Sequence, residues 1–322
     1  MKTEEHKLIS EKVKNFYEQN PYPGLDDNLM MDSAKKLSPY FNKSGKILFP
    51  GCGTGHGIVA LAKLRPDLQC YGLDLSQPSL NIAKELAEKY KVNITLEQGN
   101  YMDPLPWSEK FQFITLQGTL HHTAEPSKAL SNVLNYLDKD GLIHINLYGK
   151  KYHRRRFEII EILDLLQNDN KSDIHERFEL FQAMQKRLKK GKNIKNLIMD
   201  FSLRDIWHTL RPSYFSIKSY LTKSTSSVPW HYNFKECNQL WIDSYSNPNE
   251  FTYDIHETKK LLDSVDLEIF EMLSLGKITR SHLPSDSKWQ SLFDELSEWD
   301  KHRIMELYYP KTASVNVIAK KK

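Results

Sequence analysis

The chain has 322 residues, of which 39% are hydrophobic and 27% charged, and it carries a formal net charge of +4. This length supports one α/β core with inserted segments, and no apolar run approaches the roughly 18 residues that would span a membrane. The three cysteines, Cys52, Cys70 and Cys237, form no CxxC pair, so neither a zinc site nor a disulfide framework is predicted.

Charge is distributed unevenly along the sequence. Residues 150–223 contain 17 Lys and Arg against 9 Asp and Glu, whereas the rest of the chain has an acidic excess. This basic block predicts either a docking surface for an anionic partner such as nucleic acid, or a solvated helical face whose lysine stems cover apolar surface. The first residues include acids and no apolar stretch, which does not resemble a secretory leader and favours a cytoplasmic protein.

From residue 46 onward, short apolar runs alternate with amphipathic stretches, which is the pattern of βαβ units around a parallel sheet. The predicted strands cover residues 46–50, 69–73, 94–98, 111–117, 142–147, 267–273 and 314–319. The predicted helices cover residues 57–64, 77–90 after a Ser76 cap, 126–137 and 258–265. Asp140-Gly141 is predicted to turn the chain into strand five.

These elements predict an α/β fold with a doubly wound, mostly parallel sheet, an N-terminal lid and a helical insertion after strand five. The predicted parts are a lid at 1–40, the cofactor-binding half of the core at 41–149, a mainly helical basic insertion at 150–254 and a C-terminal part at 255–322 that completes the sheet. Within the insertion, Phe178 and Phe181 share an apolar helical face, and Arg177 is predicted to lie on another face.

The most informative segment is the glycine-rich turn after the first strand. It reads Gly51-Cys52-Gly53-Thr54-Gly55, and glycine lets a backbone approach a ligand where a Cβ would clash. A dinucleotide site would place its third glycine at position 56, which is His56 here. The GxGxG spacing therefore favours a nucleoside ligand such as S-adenosylmethionine.

An acidic residue, Asp74, follows the second strand. A carboxylate at this place can accept hydrogen bonds from both hydroxyls of a ribose. The alternative is that Asp74 only caps the following helix, and the ribose role is the favoured one because the glycine turn precedes it.

The order of these motifs resembles that of the class I S-adenosylmethionine-dependent methyltransferases. The residues that carry the resemblance are Gly51-Cys52-Gly53-Thr54-Gly55, Asp74, Gly99-Asn100 and Gln117-Gly118-Thr119-Leu120-His121-His122. The resemblance implies S-adenosylmethionine as cofactor. It also implies that the following residues bind that cofactor: Gly51, Cys52, Gly53, Gly55, Asp74, Leu75, Asn100, Tyr101, Gln117 and Gly118.

Two positions depart from the family pattern. Phe49 stands where most members have an acid that contacts the methionine amino group, so that contact is missing or supplied elsewhere. Asn100 replaces a frequent Asp and keeps an acceptor for the adenine amino group. The letters of residues 20–23 are not the NPPY-type motif of base and glutamine N-methyltransferases, because that motif ends strand four, which here reads Gln117-Gly118-Thr119.

Methyl transfer from a sulfonium is an in-line displacement, which needs a base only if the acceptor loses a proton. His122 is the preferred base and His121 the alternative, since both follow strand four; Tyr22 is a third candidate for the transfer site. Each of these three residues could instead have a purely structural role, such as packing beneath the next helix. The candidates for binding the acceptor are Tyr17, Tyr148, Arg154 and Tyr245.

The sequence thus predicts a methyltransferase that acts on a small-molecule acceptor, with no metal. RNA or protein acceptors docked on the basic insertion, and a non-catalytic cofactor-binding regulator, are the alternatives.

Overall fold

The computed structural model describes residues 2–23, 29–41, 44–167, 173–190, 237–273, 284–308 and 314–322. These residues form two compact units, one made of Met1–Phe157 with Asn247–Lys322 and the other of Glu158–Ser246. Much of the predicted basic insertion, residues 191–236, lies outside the described residues. Every helix in the described part of the chain is too short or too polar to cross a bilayer.

A seven-stranded sheet forms the centre of the first unit. The strands are β1 (Lys46–Pro50), β2 (Gln69–Asp74), β3 (Ile94–Gln98), β4 (Phe111–Gln117), β5 (Leu137–Tyr148), β6 (Leu267–Met272) and β7 (Ser314–Lys321). Their spatial order is β3-β2-β1-β4-β5-β7-β6. The first five strands are parallel, and β7 pairs antiparallel with both β5 and β6. The predicted doubly wound, mostly parallel sheet is therefore confirmed.

Helices connect these strands. In chain order they are α1 (Lys2–Gln19), α2 (Met31–Leu37), α3 (His56–Leu64), α4 (Gln77–Tyr90), α5 (Pro126–Leu134), α6 (Lys150–Gln167), α7 (Ile174–Lys190), α8 (Gln239–Ser246), α9 (Ile255–Asp263), α10 (Ser287–Asp294) and α11 (Glu298–Tyr308). Ser76 caps α4 as predicted, because its hydroxyl accepts a hydrogen bond from Ser79 N. Asp254 and Glu257 form a capping box at the start of α9, so that helix begins earlier than predicted.

Apolar side chains cover both faces of the sheet. Leu48 belongs to one buried cluster, whereas its neighbours Ile47 and Phe49 belong to another. Successive residues of a strand point to opposite faces, so this division follows directly from the short apolar runs in the sequence. The strand order reverses between β1 and β4, which opens a crevice at their carboxyl ends.

The prediction for the region between α5 and β5 is wrong. Helix α5 ends at Leu134 and not at Leu137, and Leu137 instead pairs with Phe111 as the first residue of β5. The register is irregular until Leu142 pairs with Phe113, so Gly141 lies within the strand and not in a turn before it. Leu137 is buried either way, which is why helical spacing alone could not reveal the change.

The second unit contains a buried arginine, Arg177, on α7. Arg177 donates to the carbonyl of Tyr245 and to Oε1 of Gln167, and it forms an ion pair with Asp164. These partners replace the water that the guanidinium loses on burial. Tyr245, the predicted acceptor-binding residue, is buried beside Arg177 and stacks on Trp241.

A buried histidine in the sheet predicts a measurable pH dependence of stability. His144 donates from Nε2 to Asn316 Oδ1 at 2.7 Å and accepts at Nδ1 from the Thr115 hydroxyl at 2.8 Å, so the neutral ring satisfies both contacts. Burial lowers the pKa of His144 from 6.5 to about 4. Below about pH 6.5, His144 takes up a proton in the unfolded chain but stays neutral in the folded chain until about pH 4. The free energy of unfolding therefore falls by about 3 kcal/mol between these two pH values.

Urea unfolding of the wild type and of His144→Gln at several pH values tests this prediction. The variant is expected to be less stable at neutral pH, and its deficit is expected to shrink as the pH falls towards 4, because only the wild type loses this contribution. A deficit that stays constant over that range would contradict it.

Candidate cofactor and acceptor site

The glycine turn joins β1 to α3 at the crevice. The backbone N–H groups of Gly51 and Cys52 donate to the Leu73 carbonyl at 2.7 and 3.1 Å, which fixes the turn against the end of β2. Gly53 has a positive φ of 54°, and a Cβ there would lie 2.7 Å from the carbonyl oxygen of Tyr22. Glycine is therefore needed at position 53, and the N-terminal segment lies directly against the turn.

Asp74 ties this turn to the end of β2. Its carboxylate accepts hydrogen bonds from Gly53 N at 2.8 Å and from Ser76 N at 2.9 Å. Burial raises the pKa of Asp74, and the backbone donors oppose that rise. Each carboxylate oxygen has a second lone pair, so Asp74 can hold the turn and still accept from a ribose, whereas the helix cap is provided by Ser76. Leu75 follows as a half-buried residue.

The third glycine has a packing role in addition to its predicted place in the cofactor turn. A Cβ on Gly55 would lie 2.7 Å from the Cβ of Ala83, so this glycine permits α3 to pack against α4. Gly118 has a positive φ of 72°, and a Cβ built there would meet no atom within 4 Å among the described residues. Gly118 therefore leaves open space at the end of β4, beside the glycine turn.

The loop after β3 contains the predicted adenine contacts. The side-chain oxygen of Asn100 accepts from Met102 N at 2.9 Å, which uses one of its two acceptor positions. Burial raises the pKa of the Tyr101 hydroxyl, and a hydrogen bond with the Thr119 side chain opposes that rise. Asn132 on α5 holds the loop by donating to the carbonyls of Tyr101 and Asp103.

Gln117, at the end of β4, is engaged by the N-terminal segment. Its side-chain oxygen accepts from the Ser33 hydroxyl at 2.9 Å. The side chains of Phe49 and Gln117 line a small cavity together with Ser33 and Gly57. Position 49, where most members of the family have an acid, thus lies beside the side chains of Gln117 and Ser33.

The two histidines after β4 differ in their contacts. His121 is completely buried, its ring lies 4.1 Å from that of Tyr148, and burial lowers its pKa well below the usual range. His122 is also buried, but its Nδ1 lies 3.0 Å from the main-chain oxygen of Asn249. A carbonyl oxygen only accepts, so Nδ1 of His122 carries the hydrogen and the neutral ring presents its lone pair at Nε2.

Three tyrosines surround this end of the sheet. The rings of Tyr17 and Tyr148 are edge-on to that of His122, with centroids 6.3 and 5.9 Å away. The Tyr17 carbonyl accepts from the Ser76 hydroxyl, and the Tyr22 carbonyl accepts from Thr54, so the N-terminal segment contacts the predicted ribose side as well as the histidines.

Among the three consecutive arginines of α6, the predicted acceptor-binding Arg154 does not point into the protein. Arg154 is exposed, and the arginine that turns inward is Arg156. Arg156 forms a buried ion pair with Glu250, donates from Nε to His153 Nδ1 at 3.1 Å and lies over the Tyr148 ring at 5.2 Å. Its charge is therefore neutralised within the protein.

The segment from Asn247 to Glu250 was missed by the sequence analysis. It contacts Tyr17, His122 and Arg156 through Asn247, Asn249 and Glu250 respectively. The only signal in the sequence is an Asn-Pro-Asn stretch, which predicts a turn and no partner.

Comparison with known proteins identifies the family. A model of the methyltransferase domain matches residues 41–211, more than half of the chain. An uncharacterised Synechococcus protein is 21% identical over 82% of this chain and 57% of its own length. The ubiquinone biosynthesis O-methyltransferase of Glaesserella parasuis is 31% identical over 36% of this chain and 49% of its own length. The chain spans about half the length of the curated relatives it matches.

A solved structure has a similar fold. The structure of PKMT2 from Rickettsia typhi superposes with a TM-score of 0.64 at 16% identity, covering 94% of this chain and 55% of that one. The chain belongs to the class I S-adenosylmethionine-dependent methyltransferases.

The residues around the glycine turn of this methyltransferase fit S-adenosylmethionine. The open space beside Gly118 and the buried Tyr101 hydroxyl lie at the two loops that the family resemblance assigns to the cofactor. Between them, the Asp74 carboxylate is fixed by two backbone donors and retains acceptor capacity for ribose hydroxyls.

Replacing Asp74 with Ala is expected to weaken binding of S-adenosylhomocysteine by about 1–3 kcal/mol, or about 5- to 150-fold in Kd. The substitution removes a charged acceptor for the ribose and releases the Gly53 and Ser76 N–H groups. Calorimetric titration measures the change, and Asp67→Ala, which removes an exposed aspartate that pairs with Arg65, is the matched control. Unchanged affinity in Asp74→Ala would refute the assignment of this pocket.

Proposed function

We propose that this methyltransferase transfers the methyl group of S-adenosylmethionine to a small-molecule acceptor. The observation that carries the proposal is the position of His122 in the short helical turn after β4, with its Nδ1 bonded to a main-chain carbonyl and its ring beside Tyr17 and Tyr148. When bound, the cofactor supplies an electrophilic methyl group on a positively charged sulfur.

The residues of this chain then have distinct tasks. The glycine turn and Asp74 hold the cofactor, and Tyr17 with Tyr148 forms apolar ring surface on which an acceptor is oriented for in-line attack. His122 accepts the proton that the acceptor loses. His121 packs against His122, and because burial lowers its pKa it is the weaker base of the two. Tyr22 shapes the transfer site through its contact with the turn.

Two observations favour a small acceptor. The end of β4 reads Gln117-Gly118-Thr119 and not the NPPY-type motif of base and glutamine N-methyltransferases. Tyr17 of α1 and the segment from Asn247 to Glu250 both contact the loop after β4, because the Tyr17 ring lies beside His122 and Asn249 donates to the His122 carbonyl; we infer that they cover the acceptor. A relative that is 31% identical in the core is named as an O-methyltransferase of ubiquinone biosynthesis, and that name supports the same class of acceptor.

The first test is calorimetric titration with S-adenosylhomocysteine and, in parallel, with NAD. Micromolar binding of S-adenosylhomocysteine alone is expected, and preference for NAD would overturn the cofactor assignment. The protein is then incubated with methyl-labelled cofactor and with separated small-molecule, protein and RNA fractions of a cell extract, with Asp74→Ala as the control that should transfer little label.

Label in the small-molecule fraction is the expected result. Label on RNA or protein would overturn the proposal of a small acceptor. It would favour a macromolecular acceptor that binds the basic residues of the insertion. Binding without any transfer would point to a regulator that only senses the cofactor.

A further inference from the structure

Asn249 makes three contacts with the loop that carries the proposed base. Its main-chain oxygen lies 3.0 Å from Nδ1 of His122, and its side-chain amide donates to the carbonyls of His122 at 3.1 Å and Thr123 at 3.0 Å. All of them join residues more than 120 positions apart in the sequence. One residue therefore fixes both the backbone of this loop and the imidazole ring on it.

We propose that Asn249 is a positioning residue that holds His122 in the Nδ1–H tautomer, so that Nε2 is the proton-accepting nitrogen. The inference rests on the proposed function, because a fixed lone pair is useful only if His122 accepts a proton. The proposal also restricts the acceptor to a group that loses a proton when it is methylated. Examples are a hydroxyl, or an ammonium group that becomes a nucleophilic amine by losing that proton.

In the neutral ring, the hydrogen-bond chemistry permits only this tautomer. The Asn249 carbonyl cannot donate, so the contact exists only while Nδ1 of His122 bears hydrogen. A free neutral histidine side chain favours the other tautomer, with hydrogen on Nε2, so the contact must overcome that preference. The two amide bonds from Asn249 keep its own carbonyl within reach, because they fix the two segments against each other.

A neighbouring asparagine extends this arrangement to the N-terminal segment. The Asn247 amide donates to the Tyr17 hydroxyl at 2.8 Å, and its side-chain oxygen accepts from Asn249 N at 3.1 Å. Tyr17 is also the residue whose carbonyl receives the Ser76 hydroxyl beside Asp74. Asn247 and Asn249 thus connect His122, the proposed base, to Tyr17 of α1. They fix the position of His122 relative to the N-terminal residues that contact the glycine turn.

The proton balance of the step is complete with these groups. The bond between sulfur and methyl carbon breaks, the bond between the acceptor heteroatom and that carbon forms, and the sulfur retains the electron pair. The proton of the acceptor goes to Nε2 of His122, whose positive charge is then stabilised by the Nδ1–H bond to the Asn249 carbonyl. No oxidant or further reactant is needed.

Nitrogen NMR of the imidazole rings tests the proposal without an acceptor. The full chain, labelled with ¹⁵N-histidine, is recorded at mildly alkaline pH, where an ordinary imidazole is neutral, and the His122 signal is assigned by its loss in His122→Gln. We expect the wild type to show hydrogen on Nδ1 and a lone pair on Nε2. Hydrogen on Nε2 in the wild type would overturn the proposal.

Two variants separate positioning from general stability. Asn249→Ala removes both amide donors and is expected to shift His122 towards a mixture of tautomers, while binding of S-adenosylhomocysteine stays within about twofold. Asn132→Ala is the matched control, since Asn132 also donates to two loop carbonyls, and it should leave the His122 tautomer unchanged. An unchanged tautomer in a folded Asn249→Ala protein would also overturn the proposal. Loss of cofactor binding in the wild type would instead refute the proposed function.

Discussion

Replacing His122 with Gln is expected to lower kcat by about 100-fold or more, because general bases contribute about 10²- to 10⁴-fold to proton-transfer steps. A glutamine amide still offers an N–H to the Asn249 carbonyl, so the loop around position 122 keeps a partner. It lacks a nitrogen that can accept a proton. The affinity for S-adenosylhomocysteine is expected to remain within about twofold, since Asp74 and the glycine turn are untouched.

Turnover with the labelled acceptor fraction measures kcat, and calorimetry measures cofactor affinity. His256→Gln, which replaces an exposed histidine that contacts Asp300, is the control and should retain full activity. A His122→Gln protein with wild-type kcat would show that the acceptor needs no base, as for a nucleophile that is already deprotonated. Transfer would then depend on positioning alone.

The strands of this fold could be predicted closely from the sequence, and the reason is physical. β1 and β4 have the predicted bounds, because a buried parallel strand is a short apolar run that polar or glycine residues end on both sides. β3, a half-exposed edge strand, also has the predicted bounds. The end of α5 could not be predicted in the same way. Leu137 is buried both at helical spacing and as the partner of Phe111, and only the partner strand decides between these arrangements.

The glycine turn and Asp74 are close in sequence, which made their arrangement predictable. Gly51, Gly53 and Asp74 lie near each other in the chain, and the turn that they form follows from residue types. Even so, the packing role of Gly55 depends on Ala83 of the next helix, and spacing alone does not reveal such a contact.

The proposed acceptor side is built from residues far apart in the chain, which made their contacts unpredictable. Three consecutive arginines begin α6, and only the position of Glu250, 94 residues away from Arg156, determines which of them turns inward. Asn249 was missed because its partners are main-chain carbonyls, which have no signature in the sequence. Tyr17 and His122 remain predictions as functional residues, although the structure places their rings together.

The ion pair between Arg156 and Glu250 is expected to be the most sensitive point for stability in this region. The two side chains are only 2% and 5% exposed, and Arg156 Nη1 donates to Glu250 Oε2 at 3.1 Å. Arg156→Met is expected to lower the free energy of unfolding by about 3–5 kcal/mol, because it leaves the Glu250 carboxylate buried without its counter-charge. Urea unfolding followed by circular dichroism measures the change.

A double-variant cycle separates this coupling from ordinary loss of packing. Glu250→Gln should be similarly destabilising, whereas Arg156→Met with Glu250→Gln should cost clearly less than the sum of the two, since no unpaired charge then stays buried. Arg155→Met, at the exposed neighbouring position, should change stability by no more than about 0.5 kcal/mol. Additive losses would contradict the coupling.

A strong coupling would mean that the charge of Arg156 is used by its contacts with Glu250 and the Tyr148 ring. Arg156 would then stabilise the proposed acceptor site and would not bind an anionic acceptor.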